Sequence, residues 1–503
     1  MTPVPLNTKR CGSLSLITQF LSFSVAVHGG GPVHRDHAKS SLEMLTGHRR
    51  PPGPVSMNRL EEDCFNQLHQ ELSVIRDTEP TTQTNAQLSS ADGRLTSSTQ
   101  STPPPYPCDA SGYPAFVVNA TNNEHVQAAV NFARDNNVRL IIKGTGHDFM
   151  GRSIAPNSLS IWTHHMKGIE YHEGSFTPQG CDAIETNAVT TRAGGQMFDL
   201  QSFLRTKNET VVGGNSRSVG VGGYLSGGGH SILGSQYGLG SDHILEVELV
   251  TPDGEVVVAN ECQNEDLFWA VRGGGGSTFG QHLLPWPPDF LSGVMGLVTL
   301  PGATNETEIY AAVYPAIQEA QAKFPDTNVT VVAVPEVFDC YQSWWDKYFD
   351  NGTAGTDSYL SSRLFNKDTL ADVDSVAAAL EEYLASSGTA LAHLLRRASG
   401  MEDAYVHVVK GQEFDPLDQE AKNAAIERIR SNTEILDRLA PNSGAYLNEA
   451  SLFEDDWQHT FWGDNYERLL EIKRKVDPKS VFVCHPCVGS EGWEETNGRL
   501  CKA

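Results

Sequence analysis

Two glycine-dense stretches constrain this chain more than anything else in it: VVGGNSRSVGVGGYLSGGGHSILGSQYGLG at Val211 to Gly240 and WAVRGGGGSTFG at Trp269 to Gly280, in a chain of 46 glycines. Without a Cβ, backbone approaches a flat or charged ligand closely, and successive N–H groups form a cradle for a pyrophosphate. Tight turns and bulges account for isolated glycines. They do not require such clusters within one region, so the clusters imply ligand contact. GVGGYLSGGG at Gly220 to Gly229 lacks the G-x-G-x-x-G spacing that opens the helix of a Rossmann nicotinamide site.

With 503 residues, 39% hydrophobic and 20% charged, the chain is long enough for several packed layers around more than one core. Its formal net charge of -25 argues against nucleic acid, whose phosphates need clustered Lys and Arg. Lys9 and Arg10, followed by a mildly apolar stretch from Leu14 to Val27, read as a secretory leader over residues 1–28; the plainer alternative is a floppy start. Sequons at Asn119, Asn208, Asn305, Asn328 and Asn351 favour secretion. So do the eight cysteines besides Cys11, an even set suited to disulfides whose pairing the sequence leaves open. Cys484 and Cys487 are too few for a zinc site, which would need two more ligands, so no metal is expected. No apolar run of about 18 residues lacks polar interruptions, so nothing is expected to span a bilayer.

Residues 29–110 read as a small helical cap, with Leu60, Cys64, Leu68 and Leu72 at helical spacing, and then a mobile polar connection from Glu79 to Pro107. Order returns at Pro114, where AFVVNA reads as a strand, Glu124 to Asn137 as a helix with Val126, Ala129, Val130 and Ala133 on one face, and VRLIIK as another strand. HILEVELVTPDGEVVVA, His243 to Ala259, reads as a hairpin turned at Pro252-Asp253-Gly254, which makes the fold mixed α+β. Helices are expected at Ile309 to Lys323 and Thr369 to Ser387 around a strand at Asn328 to Val334. Trp457 and Phe461 have core spacing, and a last helix from Asn465 to Val476 stops before Pro478.

Four motifs in order, KGTGHDFMGRS (Lys143 to Ser153), VGVGGYLSGGGHS (Val219 to Ser231), DLFWAVRGGGGSTFG (Asp266 to Gly280) and YLNEA (Tyr446 to Ala450) with its FWGDNYERLLEIKRKVDP continuation, resemble the flavin-dependent oxidases of the berberine bridge enzyme-like group. The resemblance covers the span from Cys64 to Trp493. It implies a PCMH-type FAD-binding domain of two α/β subdomains at residues 111–302 and a substrate domain, with an antiparallel sheet covered by helices, at 303–440. Residues 441–503 would then complete the FAD domain.

By the same resemblance, His147 is bonded through a ring nitrogen to a methyl carbon of FAD, which keeps the cofactor from dissociating and raises its reduction potential. Read on residues alone, His147 is a loop imidazole bonded to backbone. Relatives often carry a second tether, a cysteine, where Ser216 stands here, so a single link is expected. Further cofactor contacts are implied at Lys143, Gly144, Thr145, Gly146, Asp148, Phe149, Gly151, Arg152 and Ser153, at Val219, Gly220, Gly222, Gly223, Gly227 and Gly228, and from Arg272 to Gly276. Phe149 stands where plant relatives often place a tyrosine, which excludes a base there. The candidates for the base are Tyr446, with a lowered pKa, and Glu449, with Asn448 beside them; the alternative for YLNEA is a strand completing the sheet. His230 either points into the cavity or caps a helix, and His407 is a weaker candidate for the base, since a lone His among apolar neighbours is more often structural.

After GGGGSTFG the chain inserts QHLLPWPPDFLSG, Gln281 to Gly293, whose three prolines exclude a central strand. The insert is either a surface excursion or a retained intron. The resemblance implies hydride transfer from a small organic substrate to FAD with reoxidation by dioxygen, in oxidation or oxidative cyclisation of a natural product. The alternatives are a secreted alcohol or carbohydrate oxidase and an inactive remnant disrupted by the insert. The expected partners are a small-molecule substrate and dioxygen, with the chain a secreted monomer.

Overall fold

The helix expected from Val126, Ala129, Val130 and Ala133 runs Asn123–Asn136. Asn122 caps it by accepting from His125 N, and Asn137, left-handed at φ 52, closes it. The computed structural model describes residues 16–25, 88–89, 95–96, 112–275 apart from 215 and 232, 293–299, 329–338, 341–348, 358–385, 389–394 and 404–503 apart from 416–417 and 497–498, with scattered positions between 278 and 318. Of the expected features, the Leu60 to Ile75 helix, most of Ile309 to Lys323 and the insert up to residue 292 lie outside these residues, as do Cys64, Cys108, Asn328 and Asn351. Within the connection expected to be mobile, Leu88–Ser89 pairs with Leu95–Thr96.

The helix packs on a three-stranded parallel sheet in which Leu159–Trp162 lies between Phe116–Asn119 and Leu140–Lys143. The two strands expected on either side of the helix, a βαβ unit, therefore flank a third strand. Ala129, Val130, Ala133, Leu140, Leu159 and Ile161 form the core between helix and sheet, with partly buried Val481 and Phe482 of the distant C-terminal segment against them. Each fully buried aliphatic side chain there is worth roughly 1.5–3 kcal/mol. The expected hairpin pairs Glu246–Val250 with Val256–Asn260. Gly254 turns it at φ +81, where a Cβ would meet the Asn131 amide. The glycine-dense stretch is not all loop: Val219, Val221 and Tyr224 pack on helix Met197–Arg205 through Met197, Leu200 and Leu204.

A second, six-stranded sheet runs in the order Val329–Phe338, Leu16–Val25, Gly293–Thr299, Thr389–Leu394, Ala404–Glu413, Ser358–Asn366. It is antiparallel at every junction except the parallel pair Gly293–Thr299 with Thr389–Leu394. Leu16–Val25, inside the segment expected to be a leader, pairs on both sides. Helices Val373–Ala385 and Gln419–Leu439 cover the sheet through Phe365, Tyr383, Val408, Ile435 and Leu436. The single helix expected at Thr369 to Ser387 is two, Lys367–Ala371 and Val373–Ala385. Asp372 separates them because its side chain accepts from Ser375 N and starts the second.

Cys181 pairs with Cys262 and Cys484 with Cys487, which removes the latter two from any metal site; Cys501 is an exposed thiol. The Asn119 sequon lies in the parallel sheet with its amide oxygen buried, whereas Asn208 and Asn305 are exposed. Among the described residues no helix is long and apolar enough to cross a membrane.

Candidate functional site

Strand Leu140–Lys143 delivers the chain into the KGTGHDFMGRS loop, which turns at Gly146 (φ 87) and Gly151 (φ 72). His147 is buried, and its Nε2 lies 2.7 Å from Ser218 Oγ, with Ser216 Oγ a further 3.4 Å beyond. Burial pushes the imidazole down to about 3, against an opposing hydrogen bond to the Ser218 backbone, so the ring is neutral near pH 7. Asp148 folds back on Arg152: Oδ1 accepts from Nη2 at 2.7 Å and Nε at 3.1 Å, and Oδ2 accepts from the Arg152 backbone N–H. Desolvation pushes the Lys143 amine down to about 8. Phe149 is half-buried and Ser153 buried.

The YLNEA segment is a buried 3-10 turn, Leu447–Glu449, and not a strand. Tyr446 Oη accepts from Asn448 Nδ2 at 3.0 Å, Gly229 N at 3.1 Å and His230 N at 3.4 Å. Arg152 Nη2 donates to Asn448 Oδ1 at 3.5 Å, so hydrogen bonds run from the His147 loop to the tyrosine. His230 caps no helix: its Nε2 meets Glu449 Oε1 at 2.7 Å. Burial alone would lower His230, but the charge and hydrogen bond of Glu449 outweigh it and raise it. His407, which read as structural, lies on strand Ala404–Glu413 with Nδ1 3.7 Å from Glu449 Oε2, and both histidine rings meet the Tyr446 ring edge-on. A histidine facing the interior of a long strand was the only sequence signal for it.

One expectation changes. Tyr446 is not acidified: burial first, and then the Glu449 charge, push its phenol above the ordinary value, against the three N–H bonds. A second role for Gly227 lies in packing, because a Cβ there would lie 2.2 Å from Asn448 Nδ2, and Gly228 has a left-handed backbone at φ +110. Val219 likewise spends its side chain in the core. Gly222 and Gly273 face open space within 4 Å, and a Cβ at Gly220 would meet Thr145 Oγ1 at 3.3 Å.

The sequence matches the FAD binding domain family over residues 114–260 and the Berberine and berberine like family over residues 445–488. A VAO-type flavoprotein oxidase of Thermothelomyces thermophilus is 31% identical over 472 residues, covering 80% of this chain and 81% of the relative. An FAD-linked oxidoreductase of Arthroderma benhamiae is 33% identical over 480 residues, with 78% and 92% covered. Among solved structures, the VAO-type flavoprotein MtVAO713 of Myceliophthora thermophila C1 aligns with a TM-score of 0.70 at 25% identity over 79% of this chain and 84% of that one. The glucooligosaccharide oxidase of Acremonium strictum, with a TM-score of 0.60 at 18% identity over 76% and 92%, shares the fold. Fold and sequence together define an FAD-dependent oxidoreductase. The chain belongs to the VAO-type FAD-linked oxidoreductases and carries their berberine-like C-terminal segment.

The residues present fit FAD. Thr145 Oγ1 is buried with no hydrogen-bond partner among the described residues, Gly222 and Gly273 leave room beside the backbone, and Lys143 offers a desolvated cation to a pyrophosphate.

Proposed function

We propose that the chain oxidises a small organic substrate, by oxidation or oxidative cyclisation in natural-product formation, with FAD attached once through His147 and dioxygen as electron acceptor. Bound FAD supplies the hydride-accepting ring. Lys143 and the Thr145 hydroxyl hold its polar groups, and Ser216, lacking a thiolate, supports the single link. Tyr446 is the base, and the convergence of three N–H donors on its oxygen carries this reading. Those donors stabilise phenolate against the burial and the Glu449 charge that raise the phenol, and His230, itself raised by Glu449, lies 2.7 Å from that carboxylate. Tyr446 can then take the proton from a substrate O–H or N–H as hydride leaves. Two disulfides and the exposed Asn208 and Asn305 sequons support secretion.

Acid precipitation tests the tether. The wild-type pellet should be yellow, whereas in His147→Ala the colour should pass into the supernatant; a colourless wild-type pellet would sink the covalent link. Peroxide release across a panel of phenols, benzylic alcohols, alkaloids and sugars tests the substrate class, and turnover of sugars alone would overturn the natural-product reading. Tyr446→Phe should lower kcat about 10²–10⁴-fold on any substrate that responds.

A further inference from the structure

We propose that Ser218 is a positioning residue for the attachment of FAD to His147, its hydroxyl accepting from Nε2 before the bond forms and donating to Nε2 afterwards. This rests on the reading of His147 as the attachment site. Ser218 Oγ lies 2.7 Å from Nε2, brought there from 71 residues away in sequence. Gln196 Nε2 holds the Ser218 carbonyl at 3.0 Å, and Ser216 Oγ stands 3.4 Å behind the hydroxyl.

A neutral imidazole carries one N–H, and only the Nε2–H tautomer leaves a lone pair on Nδ1. With Ser218 accepting from Nε2 and turning its own proton toward Ser216, that tautomer is selected. In the attachment, the bond from Nδ1 to the flavin methyl carbon forms and one methyl C–H bond breaks. The methyl proton, the Nε2 proton and two electrons pass to the flavin ring, and dioxygen removes them as hydrogen peroxide. The substituted imidazole then has no proton on Nε2, so its partner must donate. A hydroxyl does both by rotating about one bond; a group that only accepts or only donates serves one half.

The test compares Ser218→Ala, Ser218→Thr and Ser218→Val, the last two matched in shape and differing by the hydroxyl. Each protein is purified, and total bound FAD is read from visible absorbance of the folded protein. The covalent share is read from the acid pellet and from intact mass, as a time course after adding FAD. Ser218→Thr should attach FAD at close to the wild-type rate, whereas Ser218→Val and Ser218→Ala should bind FAD and attach it at least about tenfold more slowly. Equal rates for Thr and Val, or a wild-type rate for Ala, would overturn the proposal. If Ala does not fold, the Thr and Val pair still decides. A wild-type pellet without flavin would instead remove the attachment reading itself, a result distinct from either.

Discussion

Replacing Asp148 by asparagine removes one charge from a pair almost sealed from water: the Asp148 and Arg152 side chains keep 2% and 1% exposure. Arg152 directs its backbone N–H, Nε and Nη2 at that one carboxylate. Asparagine would keep the shape and leave the guanidinium buried against an amide, at a cost of about 3–5 kcal/mol. Replacing both residues, as in Asp148→Leu with Arg152→Met, removes both charges together. The main remaining loss is the Arg152 backbone N–H, which no longer has an acceptor and costs about 1–3 kcal/mol. The double variant should therefore be at least as stable as Asp148→Asn although it changes more atoms. Urea unfolding of the two single-site leucine and methionine variants, the double variant and wild type would give the coupling energy, expected on the order of 2 kcal/mol or more. Losses that add to within about 0.5 kcal/mol would refute the view that the pair acts as a unit.

Two further outcomes follow from the same loops. Burial lowers Lys143 from 10.5 to about 8, so in flavin-free protein the unfolded chain binds more protons between those values and stability should rise with pH across that window. Lys143→Met, in a His147→Ala background, should flatten that rise in urea midpoints measured from pH 7 to pH 10, and an unchanged slope would show that the lysine is solvated. Gly227→Ala drives a Cβ to 2.2 Å from Asn448 and should cost about 1–3 kcal/mol in unfolding free energy, while Gly222→Ala, with nothing within 4 Å, should leave stability unchanged and reduce the flavin retained. Normal flavin content in Gly222→Ala would mean that the open space there is not used by the cofactor.

What was legible in the sequence was local. The Asn123–Asn136 helix, the strands beside it and the Glu246 to Asn260 hairpin follow from periodicity and turn residues within short windows. The order of the parallel sheet did not follow, because placing Leu159–Trp162 between the strands of the βαβ unit depends on pairing that no window contains. Residues 16–25 show the same limit: apolar character behind Lys9 and Arg10 reads as a leader, while pairing with Gly293–Thr299 and Val329–Phe338 makes the same segment a sheet strand. In the site, His147, Tyr446 and Glu449 were legible through motif resemblance. His407 was legible only as a weaker candidate, because a histidine on an apolar strand has no signature until Glu449 is seen 3.7 Å away.

The glycine clusters also change meaning once the C-terminal segment is in place. Asn448 lies where a side chain at Gly227 would be, so part of the glycine density makes room for a segment more than 200 residues away in sequence. That close approach lets Gly229 N and His230 N reach the Tyr446 oxygen, and lets Asn448 join it to Arg152 and the His147 loop. A buried carboxylate in such a place needs a partner. Glu449 finds His230 at 2.7 Å and has His407 at 3.7 Å on its other side. Glu449 in turn raises His230 above its ordinary value, so the imidazole beside the carboxylate holds a proton more readily than burial alone would allow.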